Sequence, residues 1–587
     1  MQLDYIVDAE EMQRADRNTI EYFKMPQLVL MERAACAAME AAAEKWPQLF
    51  EKSPRILIAA GNGNNGGDGA ALARLFYLRG AQVTVFVGGR EAKYSPALKT
   101  QMEILERYKE KESGDGPTAS VRSALRILTD DEWVRMRGGQ MRGSDRNSAE
   151  YDLIVDALFG IGLSREITGI YREKIEWLNG LSGKKMALDI PSGISAGDGA
   201  ILGCAFYADV TVTFGFLKRG MLLYPARKVC GETTVMDIGI TEESFLGKFP
   251  AGITIGRPHR EGRVGTDKAA LSEIVAGRRP DGHKGSFGKV LLFAGSAGAP
   301  GAALLAGEAV LRSGAGMLQI VSPAENRELT LTRLPEAMYQ TLTERTDWEK
   351  LLGWCDAVVI GPGIGQDTAA ENSVEKIMTL VSQKNLRKPV ILDADGLNLV
   401  ASSEKRYNLV KSYTAAGGIV IMTPHMTEFL RLVSNDALCG CAGEFSCPDM
   451  RKLRAKRLEI VEEYAGESGV ILVSKDAATV AAFRDSAGRF RYYINQTGNS
   501  GMATAGSGDV LSGIVGALAA FAAASRKKGE RNIPEKDAYF QAVYRAVYLH
   551  GAAGDRAAEK YGEESMKAGD IVSVLPEIFM ENAKHGK

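Results

Sequence analysis

Three apolar runs in the first half of the chain each end in a cluster of glycine and polar residues. The clusters are GNGNNGGDG at 61–69, DALFGIG at 156–162 and DIPSG at 189–193. Continuous apolar runs of this kind are typical of buried parallel strands. Ligands of open α/β sheets bind at the carboxyl ends of the strands. The three clusters together therefore predict one small-molecule site at that edge of a sheet.

The first cluster is glycine-rich and leads into a helical pattern. Gly61, Gly63 and Gly66 have the spacing GxGxxG. No clear acidic residue follows about 20 residues later, as an ordinary dinucleotide fold requires. The backbone N–H groups of such a loop suit a phosphate. The alternative is a tight turn that holds no ligand.

Oxygen-bearing side chains occur in all three clusters. Asn65, Asp156 and Ser192 could together bind a hard cation, such as a monovalent ion. Hydrogen bonding between neighbouring loops is the alternative, and the spacing alone favours it. Asp189 ends a buried strand, where a carboxylate can serve as acid or base or can cap the following turn. The residues leave both roles for Asp189 open.

The second half carries a different motif, NQTGNSGMATAGSGDVLSG, which runs into an apolar helix. The turn 505–508 precedes Asp509, and the free N–H groups at a helix start form an anion hole. Asp509 could take a proton from a hydroxyl while those N–H groups stabilise a phosphoryl group in transfer. The alternative is an N-cap aspartate. The sequence GxxxxGK[ST] does not occur, which excludes a P-loop enzyme.

Length and pattern predict two α/β domains. A chain of 587 residues exceeds one hydrophobic core. Strand-like and helix-like runs alternate in two series, which predicts domains at 1–245 and 265–587 joined by a linker at 246–264. The polar stretch 107–149 is predicted to be an insertion within the first domain.

Bulk properties exclude several classes of protein. The net charge of −1 argues against a nucleic-acid or membrane-surface binder. The acidic N-terminus does not resemble a signal peptide, and the alanine-rich run from Val510 is predicted to be a buried or half-buried helix. Seven cysteines are too few for a disulfide framework and favour the cytoplasm. Cys439, Cys441 and Cys447 lie close in sequence, but a surface loop is favoured there over a metal site.

The first-half motifs, in their order and after a helical start ending LMERAA, closely resemble the NAD(P)H-hydrate epimerase domain. The resemblance covers about residues 1–240 and implies a Rossmann-like three-layer α/β/α fold. It implies a potassium site at Asn65, Asp156 and Ser192, and Asp189 as the acid/base. The residues it implies for contact with the hydrated dinucleotide are Asn64, Asn65, Gly66, Gly67, Asp68, Gly160, Ile161, Gly162, Leu163, Ser164, Arg165, Glu166 and Asp189.

The second half, from about residue 265, resembles the ribokinase-like NAD(P)H-hydrate dehydratase domain. The resemblance rests on HKGSFGKVLLFAGS, VIGPGIG, LDADGLN, TPHMTEF, VSKDAATV and the GSGD turn. It implies Asp509 as catalytic base, a dinucleotide site that also includes Ala302, Gly363 and His425, and magnesium with ADP or ATP. The residues it implies for the nucleotide site are Lys475, Asp476, Ala477, Ala478, Thr479 and Gly508.

Two positions depart from the pattern of that family. His-Pro-Gly-Glu is replaced by His425-Met426-Thr427-Glu428, and Lys-Gly by Lys475-Asp476. A carboxylate at position 476 near phosphates is electrostatically unfavourable, which puts nucleotide affinity in question. His425 alone is typical of a structural residue at a strand end. Asp393 and Asp395 could either cap turns or organise a magnesium ion.

Together the two resemblances imply a bifunctional enzyme that epimerises hydrated NAD(P)H and dehydrates the S epimer. We expect it to be cytoplasmic and homo-oligomeric and to use ADP or ATP. One alternative is a ribokinase-type kinase of a small alcohol with a regulatory front half. The other is a front half that binds dinucleotide without turnover.

Overall fold

The computed structural model describes residues 4–112, 125–137, 150–255, 281–384, 386–434, 449–527 and 535–583. They divide into two compact units: a front unit of residues 4–250, and a back unit of residues 251–255 and 281–583. Each unit surrounds a largely parallel sheet with helices. The α/β class predicted for both halves is therefore confirmed.

The elements of the front unit alternate between strand and helix along most of its length. Its strands are β1 (Asp4–Val7), β2 (Arg55–Ala60), β3 (Gln82–Val87), β4 (Leu125–Leu128), β5 (Glu150–Ala157), β6 (Ser182–Leu188), β7 (Val210–Phe214), β8 (Leu217–Lys218) and β9 (Glu232–Met236). Its α-helices are α1 (Ala9–Glu21), α2 (Gln27–Lys45), α3 (Pro47–Phe50), α4 (Asn64–Leu78), α5 (Pro96–Glu112), α6 (Asp130–Arg137) and α7 (Gly169–Gly180). Short 3-10 turns lie at Glu91–Lys93, Arg219–Leu222, Ala226–Lys228 and Glu242–Phe245.

The front sheet has the strand order β4-β3-β2-β5-β6-β7-β9, and all its neighbouring strands are parallel. From β2 the chain builds outward through β3 and β4, then returns to add β5 on the other side. The point between β2 and β5 is therefore the topological switch point, where α/β sheets bind ligands.

Alternate residues of β2 enter two separate cores. Ile56 and Ile58 pack on one face with α2 and α4, whereas Leu57 and Ala59 pack on the other face with Trp133 and Ile175. A sheet buried on both faces requires continuous apolar strands, which explains the run ILIAA. The predicted three-layer α/β/α arrangement of this unit is thus confirmed.

The back unit begins with a strand and continues as a second alternating series. Its strands are β10 (Gly252–Thr254), β11 (Lys289–Phe293), β12 (Met317–Ser322), β13 (Met338–Thr341), β14 (Ala357–Ile360), β15 (Val390–Leu392), β16 (Val420–Met422), β17 (Ile471–Ser474), β18 (Val480–Arg484) and β19 (Phe490–Ile494). Its α-helices are α8 (Pro300–Arg312), α9 (Arg327–Arg333), α10 (Trp348–Trp354), α11 (Thr368–Gln383), α12 (Ala394–Ala401), α13 (Glu404–Ala415), α14 (Met426–Val433), α15 (Met450–Ala455), α16 (Arg457–Ser468), α17 (Ser507–Lys527), α18 (Glu535–Tyr561) and α19 (Ala568–Ala583). Its 3-10 turns lie at Lys284–Phe287, Ala324–Asn326 and Ser500–Met502.

The back sheet runs β13-β12-β11-β14-β15-β16-β17-β18-β19-β10. Strands β13 to β17 are parallel, and β18 and β19 then form an antiparallel hairpin. The chain adds β12 and β13 on one side of β11 and then adds β14 on the other side, so the switch point lies between β11 and β14. The turns that follow β14, β15, β16 and β17 therefore meet at one edge.

Helix α17 packs across this sheet because glycines remove side chains at its closest contacts. A Cβ on Gly513 would lie 2.3 Å from the Ala306 carbonyl oxygen of α8, and one on Gly516 would lie 2.5 Å from Val359 Cγ2 of β14. By length and composition α17 could cross a membrane, but 78% of its apolar 18-residue stretch is buried in the folded chain. The run from Val510 is thus a buried core helix, as predicted.

The predicted polar segments contain elements of both sheets. Within 107–149, β4 pairs with β3 and Trp133 of α6 is 1% exposed, while 113–124 and 138–149 lie outside the described residues. Within the predicted linker 246–264, β10 pairs with β19, and residues from 256 onward lie outside the described residues. Both strands are too short to produce a clear alternation in sequence. The cysteine cluster at 439–447 also lies outside the described residues.

Candidate active sites

A cavity of about 680 Å³ opens at the switch point of the front sheet. Three aspartates from different elements reach it: Asp16 from α1, Asp68 from α4 and Asp189 from the end of β6. The loop after β5 supplies residues 158–165 to its wall. A cavity of this size is within the range of pockets that hold nucleotide-sized ligands.

Most of the predicted substrate residues of the front unit line this cavity. They are Asn64, Asn65, Asp68, Gly160, Ile161, Gly162, Leu163, Ser164, Arg165 and Asp189. Gly66 and Gly67 are packed inside the loop and helix start instead. A Cβ on Gly66 would lie 1.9 Å from the Gly61 carbonyl oxygen, and one on Gly67 would lie 2.5 Å from Met31 Cε. Glu166 is exposed at the end of the β5 loop.

Asp189 is held in an uncommon backbone conformation. Its φ of +62° is left-handed, a region that residues with side chains seldom adopt and that often marks functional sites. Its amide donates to the Val212 carbonyl at 2.7 Å, and its carboxylate accepts from the Phe214 amide at 3.3 Å. Its carboxylate also accepts from the ammonium of Lys218. These bonds fix the carboxylate at the cavity wall.

Lys218 is the functional candidate of this unit that sequence reasoning missed. Its side chain is fully buried, and Nζ also donates to Thr213 Oγ1 and the Phe214 carbonyl, each at 2.9 Å. A lysine buried at the end of an apolar run is the available sequence signal, since a buried charge needs a partner. Lys218 thus supplies the counter-charge of Asp189.

Two further carboxylates, Asp68 and Asp16, lie close enough to Asp189 and Lys218 to interact with their charges. Burial, together with the negative charge of Asp189, raises the pKa of Asp68 well above its usual value, and the same causes raise the pKa of Asp16. Lys218 opposes both shifts. A site with carboxylates in different protonation states can offer both an acid and a base.

Asn65, Asp156 and Ser192 come together, as the predicted cation site requires. Buried Asp156 accepts from Ser192 Oγ and from the Ser192 amide, each at 2.7 Å. Asn65 Nδ2 donates to the Phe159 carbonyl at 3.0 Å, while its buried Oδ1 has no hydrogen-bond partner among the described residues. Burial raises the pKa of Asp156 to about 6, against hydrogen bonds from Ser192 and Leu158. The structure thus has features of both alternatives. Hydrogen bonds join the neighbouring loops, and Asn65 Oδ1 is left available for a cation.

In the back unit, Asp509 lies in the first turn of α17, directly after the glycine turn. Gly506 has φ +90°, so the turn depends on glycine, and α17 begins at Ser507. Burial, with nearby Asp393, raises the pKa of Asp509 to about 6, and Lys475 opposes the shift. Free N–H groups of a first helical turn attract an anion to the same place. Base and anion hole are therefore adjacent.

A buried ion pair stands beside this turn. Asp393, 1% exposed, accepts from Lys475 Nζ at 2.7 Å and from Ser512 Oγ of α17. A Cβ on Gly508 would lie 3.2 Å from Lys475 Nζ, so Gly508 leaves room for the lysine. Asp393 therefore bonds to a lysine and a helix and does not cap its own turn. Asp395 accepts from the Gly365 amide at 2.9 Å, which favours the structural role over magnesium binding, the two alternatives that the sequence left open for it.

The other predicted dinucleotide residues lie on turns at the same edge. Gly363, with φ +62°, approaches α8 so closely that a Cβ would lie 2.8 Å from Ala302 Cβ. His425 forms the N-cap of α14: its Nδ1 accepts from the amides of Thr427 at 3.1 Å and Glu428 at 3.3 Å. The ring of His425 remains 52% exposed, so it can cap the helix and still meet a ligand.

Two family models match the chain. Residues 27–220 match the model described as YjeF-related protein N-terminus, and residues 290–577 match the model described as NAD(P)H-hydrate dehydratase. The bifunctional NAD(P)H-hydrate repair enzyme Nnr of Moorella thermoacetica is 33% identical over 98% of this chain and 96% of its own length. The chain belongs to the family of bifunctional NAD(P)H-hydrate repair enzymes. The Escherichia coli member is 32% identical over 97% of this chain and 93% of its own.

A solved structure resembles the back half of this repair enzyme. It is the ADP/ATP-dependent NAD(P)H-hydrate dehydratase from Bacillus subtilis, co-crystallised with ATP and Mg²⁺. That protein is 29% identical, covers 54% of this chain and 97% of its own, and gives a TM-score of 0.42.

The first family departure, Met426-Thr427 in place of Pro-Gly, leaves the helix cap of this repair enzyme intact. The capping bonds use the amides at 427 and 428 and the Glu428 carboxylate, which accepts from the His425 amide at 2.9 Å. None of these bonds depends on the side chain of residue 426 or 427. Met426 itself is 7% exposed, and its Sδ accepts from Ser474 Oγ at 3.9 Å. The replacement therefore adds a buried side chain next to the end of β17, while the capping bonds use other groups.

Proposed function

We propose that this chain repairs NADH and NADPH that have become hydrated on the nicotinamide ring. The front unit interconverts the R and S epimers, and the back unit dehydrates the S epimer with ADP or ATP as phosphoryl donor. One observation carries this proposal: at the switch-point edge of its sheet, each unit places a carboxylate close to a lysine. The pairs are Asp189 with Lys218, and Asp509 with the Asp393–Lys475 pair.

In the proposed epimerisation, the carbon–oxygen bond of the hydrated ring breaks and re-forms on the opposite face. Departure of the hydroxyl needs a proton donor, and return of water needs a base. Asp68, whose pKa is raised by burial, is suited to donate the proton. Asp189, paired with the Lys218 ammonium, is suited to accept one. Both line one cavity, so a single bound ring can meet both groups.

A potassium ion would be held by Asn65, Asp156 and Ser192. The buried and unpartnered Oδ1 of Asn65 supports this assignment, because an unsatisfied buried oxygen is costly unless a cation or water meets it. Hard oxygen donors also suit such an ion. The ion would supply positive charge for the diphosphate or the reacting oxygen. We expect replacement of potassium by tetramethylammonium to slow epimer exchange and to leave dehydration unchanged.

Dehydration requires the ring hydroxyl to become a good leaving group. Asp509 takes the hydroxyl proton as the oxygen attacks the terminal phosphorus of ADP or ATP, and the phosphoanhydride bond breaks to release AMP or ADP. Amides of the glycine turn stabilise the phosphoryl group in transfer. Expulsion of inorganic phosphate and loss of a proton from the neighbouring carbon restore the ring double bond. Lys475 to Thr479 and Gly508 would hold the nucleotide, and Gly363, Ala302 and His425 the dinucleotide.

Magnesium fits this site as an ion carried by the nucleotide. Within the described ranges no cluster of three or more His, Cys, Asp or Glu side chains could form a metal cage. Asp393 and Asp395 already bond to Lys475 and to the Gly365 amide. Magnesium commonly keeps water and phosphate ligands and takes one or two carboxylates. The ion would neutralise the phosphates of the donor.

The products of a reaction with the S epimer distinguish dehydration from simple phosphorylation. With ADP or ATP and magnesium, we expect one NADH and one inorganic phosphate for each molecule of the S epimer of hydrated NADH (S-NADHX) consumed. Accumulation of a stable phosphorylated product would instead support a small-alcohol kinase. We also expect homo-oligomers in solution and a cytoplasmic location, which sedimentation and fractionation would test.

A further inference from the structure

Arg457, at the start of α16, is buried against the strand that precedes the proposed nucleotide loop. Its side chain is 8% exposed. Nε donates to Ser474 Oγ at 3.1 Å and Nη2 donates to the Ser474 carbonyl at 2.5 Å. Nη1 lies 3.4 Å from Asp476 Oδ2. One guanidinium thus joins the end of β17 to the loop 475–479.

Asp476 stands where the family pattern has glycine. Its side chain is 35% exposed, so part of the carboxylate faces solvent beside Lys475. A negative charge there repels phosphates unless a positive charge cancels it. Arg457 supplies that charge, since even with its pKa lowered by burial to about 10 the guanidinium stays protonated near neutral pH.

The loop also lies next to the anion hole. Lys475 Nζ is close to Gly508 and bonds to Asp393, while Thr479 Oγ1 donates to the Asp476 carbonyl at 3.1 Å. A shift of Asp476 would therefore act on both ends of the loop. Arg457, Asp476 and Lys475 thus lie together at the start of the loop 475–479.

We propose that Arg457 is a positioning residue that cancels the charge of Asp476 and so sets the affinity of the loop for ADP and ATP. The assignment rests on the proposed function, because that function places the nucleotide at residues 475–479. Because Arg457 is proposed to act through its charge, the variants should follow a particular order of nucleotide affinity. A purely structural role would not produce that order. Removal of Asp476 leaves an extra positive charge, removal of Arg457 leaves an uncancelled negative charge, and removal of both restores the balance.

The test is calorimetric titration of the full chain with magnesium ADP and magnesium ATP. For Arg457→Met we expect a Kd about tenfold weaker than wild type, for Asp476→Gly about threefold tighter, and for the double variant a return to within about threefold of wild type. Equal weakness of Arg457→Met and the double variant would overturn the proposal. So would wild-type affinity in Arg457→Met.

Arg406→Met is the matched control for burial. Arg406 is also a buried arginine, with its side chain 10% exposed and 3.4 Å from half-exposed Glu371. We expect Arg406→Met to lower the melting temperature without changing either Kd.

If Arg457→Met fails to fold, the variants Asp476→Asn and Asp476→Gly test the proposal alone. Both must bind nucleotide more tightly than wild type, and unchanged or weaker binding overturns the proposal. Absence of nucleotide binding by the wild type would instead refute the proposed function, and this inference with it.

Discussion

Lys475 at the end of β17 reaches Asp393 at the end of β15, with 2.7 Å between Nζ and Oδ1. Asp393 is 1% exposed and so depends on this lysine and on Ser512 for compensation of its charge. The pair spans β16, whose following turn carries His425. It therefore fixes the position of the proposed nucleotide loop relative to Asp509.

Lys475→Met tests this pair. The variant leaves Asp393 buried without its cation and removes a charge that faces phosphates, so we expect nucleotide Kd to rise by about 10- to 100-fold. Lys527→Met is the control, because Lys527 pairs with another buried carboxylate, Asp356, at 2.6 Å. Calorimetric titration of both variants with magnesium ATP would check this, and an unchanged Kd in Lys475→Met would count against the assignment.

Lys218→Met should abolish epimer exchange by removing the partner of Asp189. We expect a fall of about 100-fold or more in the exchange rate, with dehydration of the S epimer unchanged. Lys174→Met is matched to it, since Lys174 is equally buried in the same unit and pairs with Asp130 at 2.6 Å. Breaking either pair should cost about 3–5 kcal/mol of stability. Chromatography of the epimers would show whether the rate loss is specific to Lys218, and equal loss in both variants would contradict the assignment.

The pH dependence of dehydration should report the Asp509 carboxyl group. Its pKa is raised to about 6, and a general base must be deprotonated to act. The dehydration rate, measured at S-epimer concentrations well below KM, should therefore be independent of pH above about pH 7. Below about pH 6 it should fall about tenfold for each pH unit. Stopped-flow absorbance over this range would measure it. A profile that stays level to pH 4.5 would exclude Asp509 as the base.

Two glycines of the 61–69 loop should respond differently to alanine. A Cβ on Gly66 would lie 1.9 Å from the Gly61 carbonyl oxygen, whereas a Cβ on Gly63 would meet nothing within 4 Å. We expect Gly66→Ala to lower the free energy of unfolding by about 1–3 kcal/mol and to slow epimerisation. Gly63→Ala should change stability by less than about 0.5 kcal/mol. Equal effects in urea unfolding would contradict the close contact.

The sequence indicated the fold class and the edges where the sites lie, because strand ends marked by glycine and aspartate are local features. Asp189 could be predicted because it ends a strand, and Asp509 because it follows a glycine turn that opens a helix. Lys218 and Arg457 could not be predicted, because their roles depend on partners that only the folded chain brings near. Lys218 pairs with Asp189, and Arg457 lies next to Asp476. The short strands β4 and β10 were also missed, because pairing with a neighbour stabilises them more than their own pattern does. The close approach of Gly66, where a Cβ would lie 1.9 Å from the Gly61 carbonyl oxygen, likewise depends on the folded loop, and contact of Gly66 with substrate stays a prediction.

The most direct test of the two-site account follows NADH absorbance after the chain, potassium, magnesium and ADP or ATP are added to a mixture of both NADHX epimers. We expect complete recovery of NADH by the wild type. We expect recovery of only the S fraction by Asp189→Ala, and none by Asp509→Ala. Absence of recovery by the wild type with either nucleotide, or full recovery by Asp509→Ala, would contradict the two-site account.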